Sequence, residues 1–427
     1  MSSSSPSPRS RPRVLVAGAG IGGLSAALAL HDAGCDVTVF EAAGEIRPLG
    51  VGINVLPHAM AALGRFGLVE PLVAAGVATS ELRFVNRHGQ MIWREPRGRG
   101  AGYPVPQVSV HRGVLQLTLL AAVQERLGRE AVRTGLAVRA VATDDSGRVP
   151  QVEARFVERD AGTEVVERAD VLVAADGIHS TVRRAFHPDE GPPLWNGQLL
   201  WRAVSRVAPY LDGATMVMAG SNRTKFVAYP ITGPADDGLC TVNWIAELNR
   251  SGHPAPAPED WNRTGDVAEF GPSFAGWTWD WLDVPRLIAS TDAVFEFPMV
   301  DRDPLDGWVH GRVVLLGDAA HPMYPVGSNG ASQAILDTRA LADAVAAETD
   351  LDAALARYEG ERLPVTAAIV AANRRGGPEQ VLDLAEERAP DGFADVSDVF
   401  APGELEAIAA RYKQVAGFTV AKVAGTT

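Results

Sequence analysis

The sequence predicts an α/β protein: a Rossmann-like domain, an inserted domain built on a mainly antiparallel β-sheet, and a C-terminal helical segment. Three observations carry that reading. Residues 14–41 read as a buried strand, a glycine turn, a helix and a second strand ending in an acid. Two further apolar runs, within 169–177 and 311–318, end in Asp-Gly and Gly-Asp. Between them, residues 188–300 hold seven of the nine tryptophans and follow a hairpin rhythm of short strands.

The opening stretch is the most specific. Its apolar strand runs into Gly18-Ala19-Gly20-Ile21-Gly22-Gly23, where Gly18, Gly20 and Gly23 have G-x-G-x-x-G spacing. Gly18 permits the tight turn, Gly20 lets the backbone approach a pyrophosphate, and Gly23 lets the helix pack close to the strand. The helix N-terminus, worth roughly half a positive charge, then faces the phosphates. Glu41 lies about twenty residues on, where a carboxylate accepts hydrogen bonds from a ribose and repels a 2′-phosphate. These residues predict FAD or NAD, not NADP.

Bulk properties set the outer bounds. With 427 residues the chain is long enough for two or three domains. A net charge of −13 argues against nucleic acid and anionic membranes as partners. Cys35 and Cys240, far apart, make neither a disulfide framework nor a thiol metal site, and the histidines show no metal-ligand spacing. A cytoplasmic location follows as the default. Residues 1–12 are Ser, Pro and Arg without an apolar core, which predicts a disordered tail rather than a signal peptide. No apolar run is long enough to cross a bilayer.

Taken in order, the chain next shows Arg47 and the segment Gly50-Val51-Gly52-Ile53-Asn54. Two spaced glycines suit either backbone lying against a flat ligand or an ordinary loop. A short helical pattern follows to Leu68. Residues 82–86 and 90–93 alternate as a strand pair around Arg87-His88-Gly89, placed in a second sheet. From 110 a helix runs to about 127, amphipathic through Leu115, Leu119, Ala122 and Val123. Arg112 in its first turn opposes the helix dipole, so either a cofactor anion compensates it or it is simply exposed.

Strands are predicted at 137–143 and 152–157, then the run into Asp176-Gly177. Segments 199–204, 214–219, 225–231 and 239–247 read as an antiparallel meander. A Pro-rich loop spans 251–258, and Trp277, Trp279 and Trp281 suit packing. Gly317-Asp318 then leads through a Pro- and Gly-rich loop into helices at 331–347 and 351–375. Residues 378–422 look helical and carry no nameable chemistry.

Gly18, Gly20 and Gly23 with Glu41, then Asp176-Gly177, then Gly317-Asp318 with His321-Pro322 and Gly327, resemble one family in that order. It is the group A FAD-dependent aromatic monooxygenases, typified by p-hydroxybenzoate and salicylate hydroxylase, and the resemblance covers nearly the whole chain. Residues 50–54 and 409–418 are similar to the 5-methylphenazine-1-carboxylate 1-monooxygenases within it. The resemblance implies an FAD-binding domain from 13–79, 107–187 and 301–375. It implies a substrate domain from 80–106 and 188–300, and a helical segment at 376–427.

By the same resemblance, Gly18, Ala19, Gly20, Ile21, Gly22 and Gly23 hold the FAD pyrophosphate and Glu41 the adenosine ribose. Arg47 and Gly52 join the cofactor site, and Arg112 reaches the ribityl-phosphate region. Gly317-Asp318 binds the ribityl chain, with Pro325, Gly327, Asn329 and Gly330 beside the isoalloxazine. Asp176-Gly177 serves both FAD and a visiting nicotinamide. Only one nucleotide fingerprint exists, since the glycines at 98–102 follow no strand and open no helix, so NADH or NADPH is expected as a transient reductant. The implied reaction is reduction of FAD, addition of O₂ at flavin C4a, and delivery of oxygen from the hydroperoxide to an aromatic ring. No protein nucleophile is required.

Substrate-facing candidates are Asn54, Trp201, Arg202, Phe226, Tyr229, Trp244, Phe297, Met299 and Tyr324. Each has a plain reading as core or surface: the aromatics and Met as packing, Arg202 as a salt bridge, the tyrosines as hydrogen-bonded core. The expected partner is a small aromatic or N-heteroaromatic molecule, with the chain a monomer or homodimer. An epoxidase or Baeyer–Villiger oxygenase on the same scaffold, and a flavin-binding resistance protein without turnover, stay open. Trp277-Thr278-Trp279 lacks the Ile-Pro of a halogenase.

Overall fold

The computed structural model describes residues 11–48, 50–144, 151–159, 161–253 and 263–425. Most of the expected N-terminal tail (1–10) and of the Pro-rich loop (254–258) lie outside them.

The first sheet has six strands in the order Val309–His310, Val313–Leu315, Val171–Ala174, Arg13–Ala17, Asp36–Glu41, Val132–Thr134. All neighbours are parallel except the first pair. Its central strands are unbroken runs of Val, Leu and Ala with essentially no exposed surface, as a sheet covered on both faces demands. Helices Ile21–Asp32 and Gly330–Ala347 pack against one another over it. A three-stranded antiparallel sheet, Leu136–Asp144, Gln151–Glu158 and Glu164–Ala169, lies alongside. There Phe156 stacks on Phe40 at 3.9 Å.

The large sheet has seven strands in the order Phe295–Asp301, Leu194–Val207, Cys240–Asn249, Thr224–Pro230, Met216–Gly220, Glu81–Val85, Met91–Pro96. This corrects the expected meander. Leu194–Val207 pairs with Cys240–Asn249, not with the strand that follows it, giving a Greek key. Met216–Gly220 pairs in parallel with Glu81–Val85. A hairpin rhythm fixes which strands share a tight turn; it does not say where a strand lands after a longer loop.

Side-chain alternation gives this sheet two different faces. Trp201, Ala203, Phe226, Ala228, Val242 and Trp244 cover the outer face and pack with Phe270, Phe274 and Val284. Leu200, Met216, Met218, Val227, Tyr229, Ile245 and Met299 point the other way. The inner face is covered by the C-terminal helices Gln380–Arg388 and Glu404–Val415 through Val381, Leu382 and Leu405. Arg374, ending the helix Leu351–Arg374, locks the two halves together by donating to Asp301 at 2.7 and 2.9 Å. Among the described residues no helix is long and apolar enough to cross a membrane.

Candidate active site

The glycine turn is built as a cradle. Gly18 has φ +104°, and a Cβ there would lie 2.4 Å from the Ala175 carbonyl oxygen. A Cβ on Gly23 would lie 1.9 Å from the Gly18 carbonyl oxygen, and one on Gly22 3.0 Å from Leu316. A Cβ on Gly20 would meet nothing within 4 Å, so the turn is tight behind and open in front. Ile21 opens the helix that follows. Glu41 lies beside the turn, accepting from Ala19 N and Ala43 N at 2.8 Å each. Both carboxylate oxygens keep a second lone pair for a ribose.

Asp318 lies beside Gly330, His321 and Arg112. Its side chain is accessible, but the surrounding protein desolvates the carboxyl and pushes it up, while His321 and Arg112 pull the other way. Gly317 before it has φ +61° and donates to Asp337 Oδ2 at 3.1 Å. A Cβ on Gly330 would stand 4.0 Å from Asp318 Oδ1, so the loop's end faces the acid. Pro325 is exposed at the loop, Gly327 has φ +68°, and Asn329 is fully buried. Arg112 is exposed at the start of its helix, its N–H given to Val51 O at 2.9 Å.

Asp176 accepts from Thr181 N at 2.8 Å at the start of the helix Thr181–Phe186, which Ser180 caps, while the buried Asp176 Oδ1 has no partner. Burial pushes this carboxyl up against those hydrogen bonds. Gly177 takes the left-handed turn beside it, at φ +81°.

Arg47 is exposed and paired with Glu45 at 2.7 Å. Gly52 is needed for close approach, but to the large sheet: a Cβ would lie 2.6 Å from Asn243 and 2.8 Å from Tyr229. Its N–H donates to Asn243 Oδ1 at 2.6 Å and its carbonyl accepts from Arg202 at 3.3 Å.

Of the substrate candidates, Trp201, Phe226 and Trp244 are on the outer face, and this is a correction. Trp201 stacks on Phe270 at 5.0 Å and donates to Glu296; Phe226 stacks on Trp244 at 5.8 Å. They lie in the strands expected for them, but the face a strand residue takes depends on register. Arg202, Tyr229, Phe297 and Met299 share the inner face. Burial pushes the Tyr229 phenol up to about 12 although Arg202 and Asn243 bond to it, so it stays protonated. Asn54 is buried, accepts from Ser109 at 2.6 Å, and lies 3.6 Å from the Met216 sulfur. Tyr324 is buried and bonded to Asp301.

A family model described as FAD binding domain matches residues 11–217 and 292–373. The chain is 47% identical over 365 residues to phenazine 1,6-dicarboxylic acid hydroxylase PhzS of Lysobacter antibioticus, covering 84% of this chain and 89% of that one. The chain belongs to the group A FAD-dependent aromatic monooxygenases. It is also 32% identical to 6-hydroxynicotinate 3-monooxygenase of Pseudomonas fluorescens, over 78% of this chain and 82% of that. A salicylate hydroxylase substrate complex shares the fold at TM-score 0.72 and 22% identity, over 98% of both chains. Klebsiella pneumoniae HpxO with FAD and uric acid does so at TM-score 0.71 and 24% identity, over 97% of this chain and 95% of that. FAD is the cofactor, and the open front of the glycine cradle with an accessible Asp318 fits it.

The monooxygenase has site residues that sequence reasoning missed. Gln116 donates to Ala19 O at 2.8 Å and braces the cradle; it lies one turn beyond Arg112, a spacing that was available as a signal. Asp337 and Arg362 form a buried ion pair beneath the cofactor loop, and Arg362 continues to Gln333 at 2.6 Å. Tyr412 comes from the C-terminal segment. Its hydroxyl accepts from Asn329 at 2.9 Å and donates to Asn373 Oδ1 at 2.8 Å. Tyr412→Phe should leave both amides without that partner and cost the monooxygenase about 1–3 kcal/mol in urea denaturation.

Proposed function

We propose that the chain uses NAD(P)H and O₂ to hydroxylate a planar aromatic or N-heteroaromatic acid of secondary metabolism. The observation that carries this is the glycine cradle, open in front of Gly20, together with the accessible Asp318 at the loop that leads to Gly330. The relatives named for phenazine, hydroxynicotinate and aminohydroxybenzoate substrates support the class.

Gly18, Gly20 and Gly23 would take the FAD pyrophosphate, Glu41 its ribose and Asp318 its ribityl chain, with Arg112 beside it. The redox chemistry, hydride uptake from NAD(P)H and activation of O₂ for transfer to an aromatic carbon, is supplied by FAD when bound. The chain's own residues do the rest. Helix Gly330–Ala347 starts at the cofactor loop, and its N-terminal partial charge favours negative charge there. Apolar walls keep water from the reacting centre. Protonated Tyr229, held by Arg202 and Asn243, stiffens the inner face of the sheet. Residues 13–79, 107–187 and 301–375 would form the FAD-binding part and 80–106 with 188–300 the substrate part. The strands of the two main sheets divide along those lines, save Asp301.

The test is a panel of aromatic and N-heteroaromatic acids offered to FAD-loaded protein. Oxidation of NADH and of NADPH is followed together with the mass of the product. At least one acid should stimulate oxidation and gain one oxygen; oxidation that never couples to an oxygenated product sinks the proposal.

A further inference from the structure

Buried charges tie the loop Val326–Ser328 to the large sheet. Lys225 and Glu247 stand opposite one another on adjacent strands, and alternation puts them on the inner face with Val227 and Ile245. The Lys225 ammonium donates to Glu247 Oε2 at 2.8 Å and to Glu379 Oε2. Glu379 ends the short turn Gly377–Glu379, and its other oxygen accepts from Gly327 N at 3.2 Å. Lys225 and Glu379 are each 7% exposed and Glu247 is 5% exposed. Lys225 and Glu379 thus bridge sheet and loop through the interior.

Stability alone does not account for this bridge. Apolar side chains of similar volume often hold a buried site as well as an ion pair does, or better. What a bonded polar bridge adds is one fixed arrangement. Gly327 is the residue that receives it. Gly327 has φ +68°, and a Cβ there would lie 2.3 Å from the Tyr412 hydroxyl. A Cβ on Gly377 would lie 2.8 Å from Val326 Cγ1, so turn and loop are in direct contact and a shift of one is passed to the other. The flanks of the loop are held separately. Tyr324 is bonded to Asp301, and Asn329 donates to Tyr412 at 2.9 Å. Releasing Glu379 therefore frees Gly327 within a loop whose two ends stay anchored.

We propose that Lys225 and Glu379 are positioning residues for the flavin. The ammonium aims the carboxylate, the carboxylate fixes Gly327 N, and the loop keeps a set distance from the inner face of the large sheet. The isoalloxazine, expected beside Gly327 and Asn329, is then held in register with that face. Glu247 anchors Lys225 from within the sheet. Only the efficiency of oxygen transfer rests on the hydroxylase reading; the holding of the flavin does not.

The experiment compares the full chain, loaded with FAD, with its Lys225→Met, Glu379→Ala and Glu247→Gln variants. Visible circular dichroism of the bound flavin reports the surroundings of the ring without any substrate, and melting temperature with FAD content reports folding. Lys225→Met and Glu379→Ala should shift the flavin spectrum away from wild type and resemble each other. Glu247→Gln should lower the melting temperature and leave the spectrum superposable on wild type. With an acid that wild type oxygenates, product formed per NADH or NADPH consumed should fall about tenfold in the first two variants, the scale set by a misplaced reacting group. Should either variant fail to fold, Glu379→Gln, nearly isosteric, carries the same comparison. Superposable flavin spectra in all variants that keep FAD overturn the proposal, because the trio then only packs. So does a spectrum displaced as far in Glu247→Gln as in the others. A wild type that never yields an oxygenated product sinks the hydroxylase reading instead, and the flavin spectra alone then decide the positioning role.

Discussion

Replacing Asp337 with alanine should lower the unfolding free energy by about 3–5 kcal/mol, the usual cost of breaking a buried ion pair from one side. Asp337 has no exposed surface, and both of its oxygens are used. Oδ2 takes His321 at 2.5 Å and Gly317 N at 3.1 Å, and Oδ1 takes Arg362 at 2.8 Å. Alanine leaves the Arg362 guanidinium, 7% exposed, without its counter-charge. It also frees Gly317, the residue that aims Asp318, so FAD content after purification should fall together with stability. Asp337→Asn keeps the shape and loses the charge, and should lie between. The pH dependence has a definite sign. Burial pushes the Asp337 carboxyl up, but His321 and Arg362 outweigh it and hold it below the ordinary range. Its contribution is therefore present above the unfolded-state value of about 4 and is lost as pH falls through the lower folded value. Denaturant titrations below about pH 4 should show the wild type losing more stability than the alanine variant.

Gly23→Ala and Gly20→Ala should separate folding from cofactor binding. At Gly23 the new Cβ lies 1.9 Å from a backbone oxygen, which no rotamer change relieves. The helix must retreat from the strand, at a cost of about 1–3 kcal/mol or more in stability, with FAD lost as the cradle opens. At Gly20 the new methyl touches no protein atom within 4 Å. Stability there should stay within about 0.5 kcal/mol, as for a substitution that disturbs no packing. FAD affinity should still fall about tenfold or more, because the methyl occupies the pyrophosphate's approach. Flavin absorbance per protein, beside a denaturation curve, reads both quantities. A Gly20 variant with full affinity would move the pyrophosphate elsewhere.

What the sequence made legible were features held in short stretches. Gly18, Gly20, Gly23, Glu41 and Asp318 each sit in a motif whose spacing states the local backbone, and Glu41 accepts from the glycine turn at Ala19 N. Strand locations were legible too, because apolar alternation is a local signal. The face of a strand is not local, since a shift of one residue exchanges the two sides. Trp201 and Arg202 are adjacent in the chain and end on opposite faces, and only the pairing with Cys240–Asn249 decides which is which. Tyr412 and Lys413 were illegible for a related reason. The helix that carries them is amphipathic like any other, and its partners Asn329 and Glu95 are far away in sequence.

The placement of Val313–Leu315 beside Val171–Ala174 bears on synthesis. Five of the seven strands of the large sheet are translated between these two neighbours. Until the later strand leaves the ribosome, Val171–Ala174 is an unfinished, wholly apolar sheet edge, the kind of surface that templates aggregation. The cofactor half therefore begins first and finishes after the half it encloses. Pairing across so long a separation also slows folding, because loop closure precedes any gain in contacts. Nascent chains of this protein should depend on protection of that edge for as long as it takes to translate the insert.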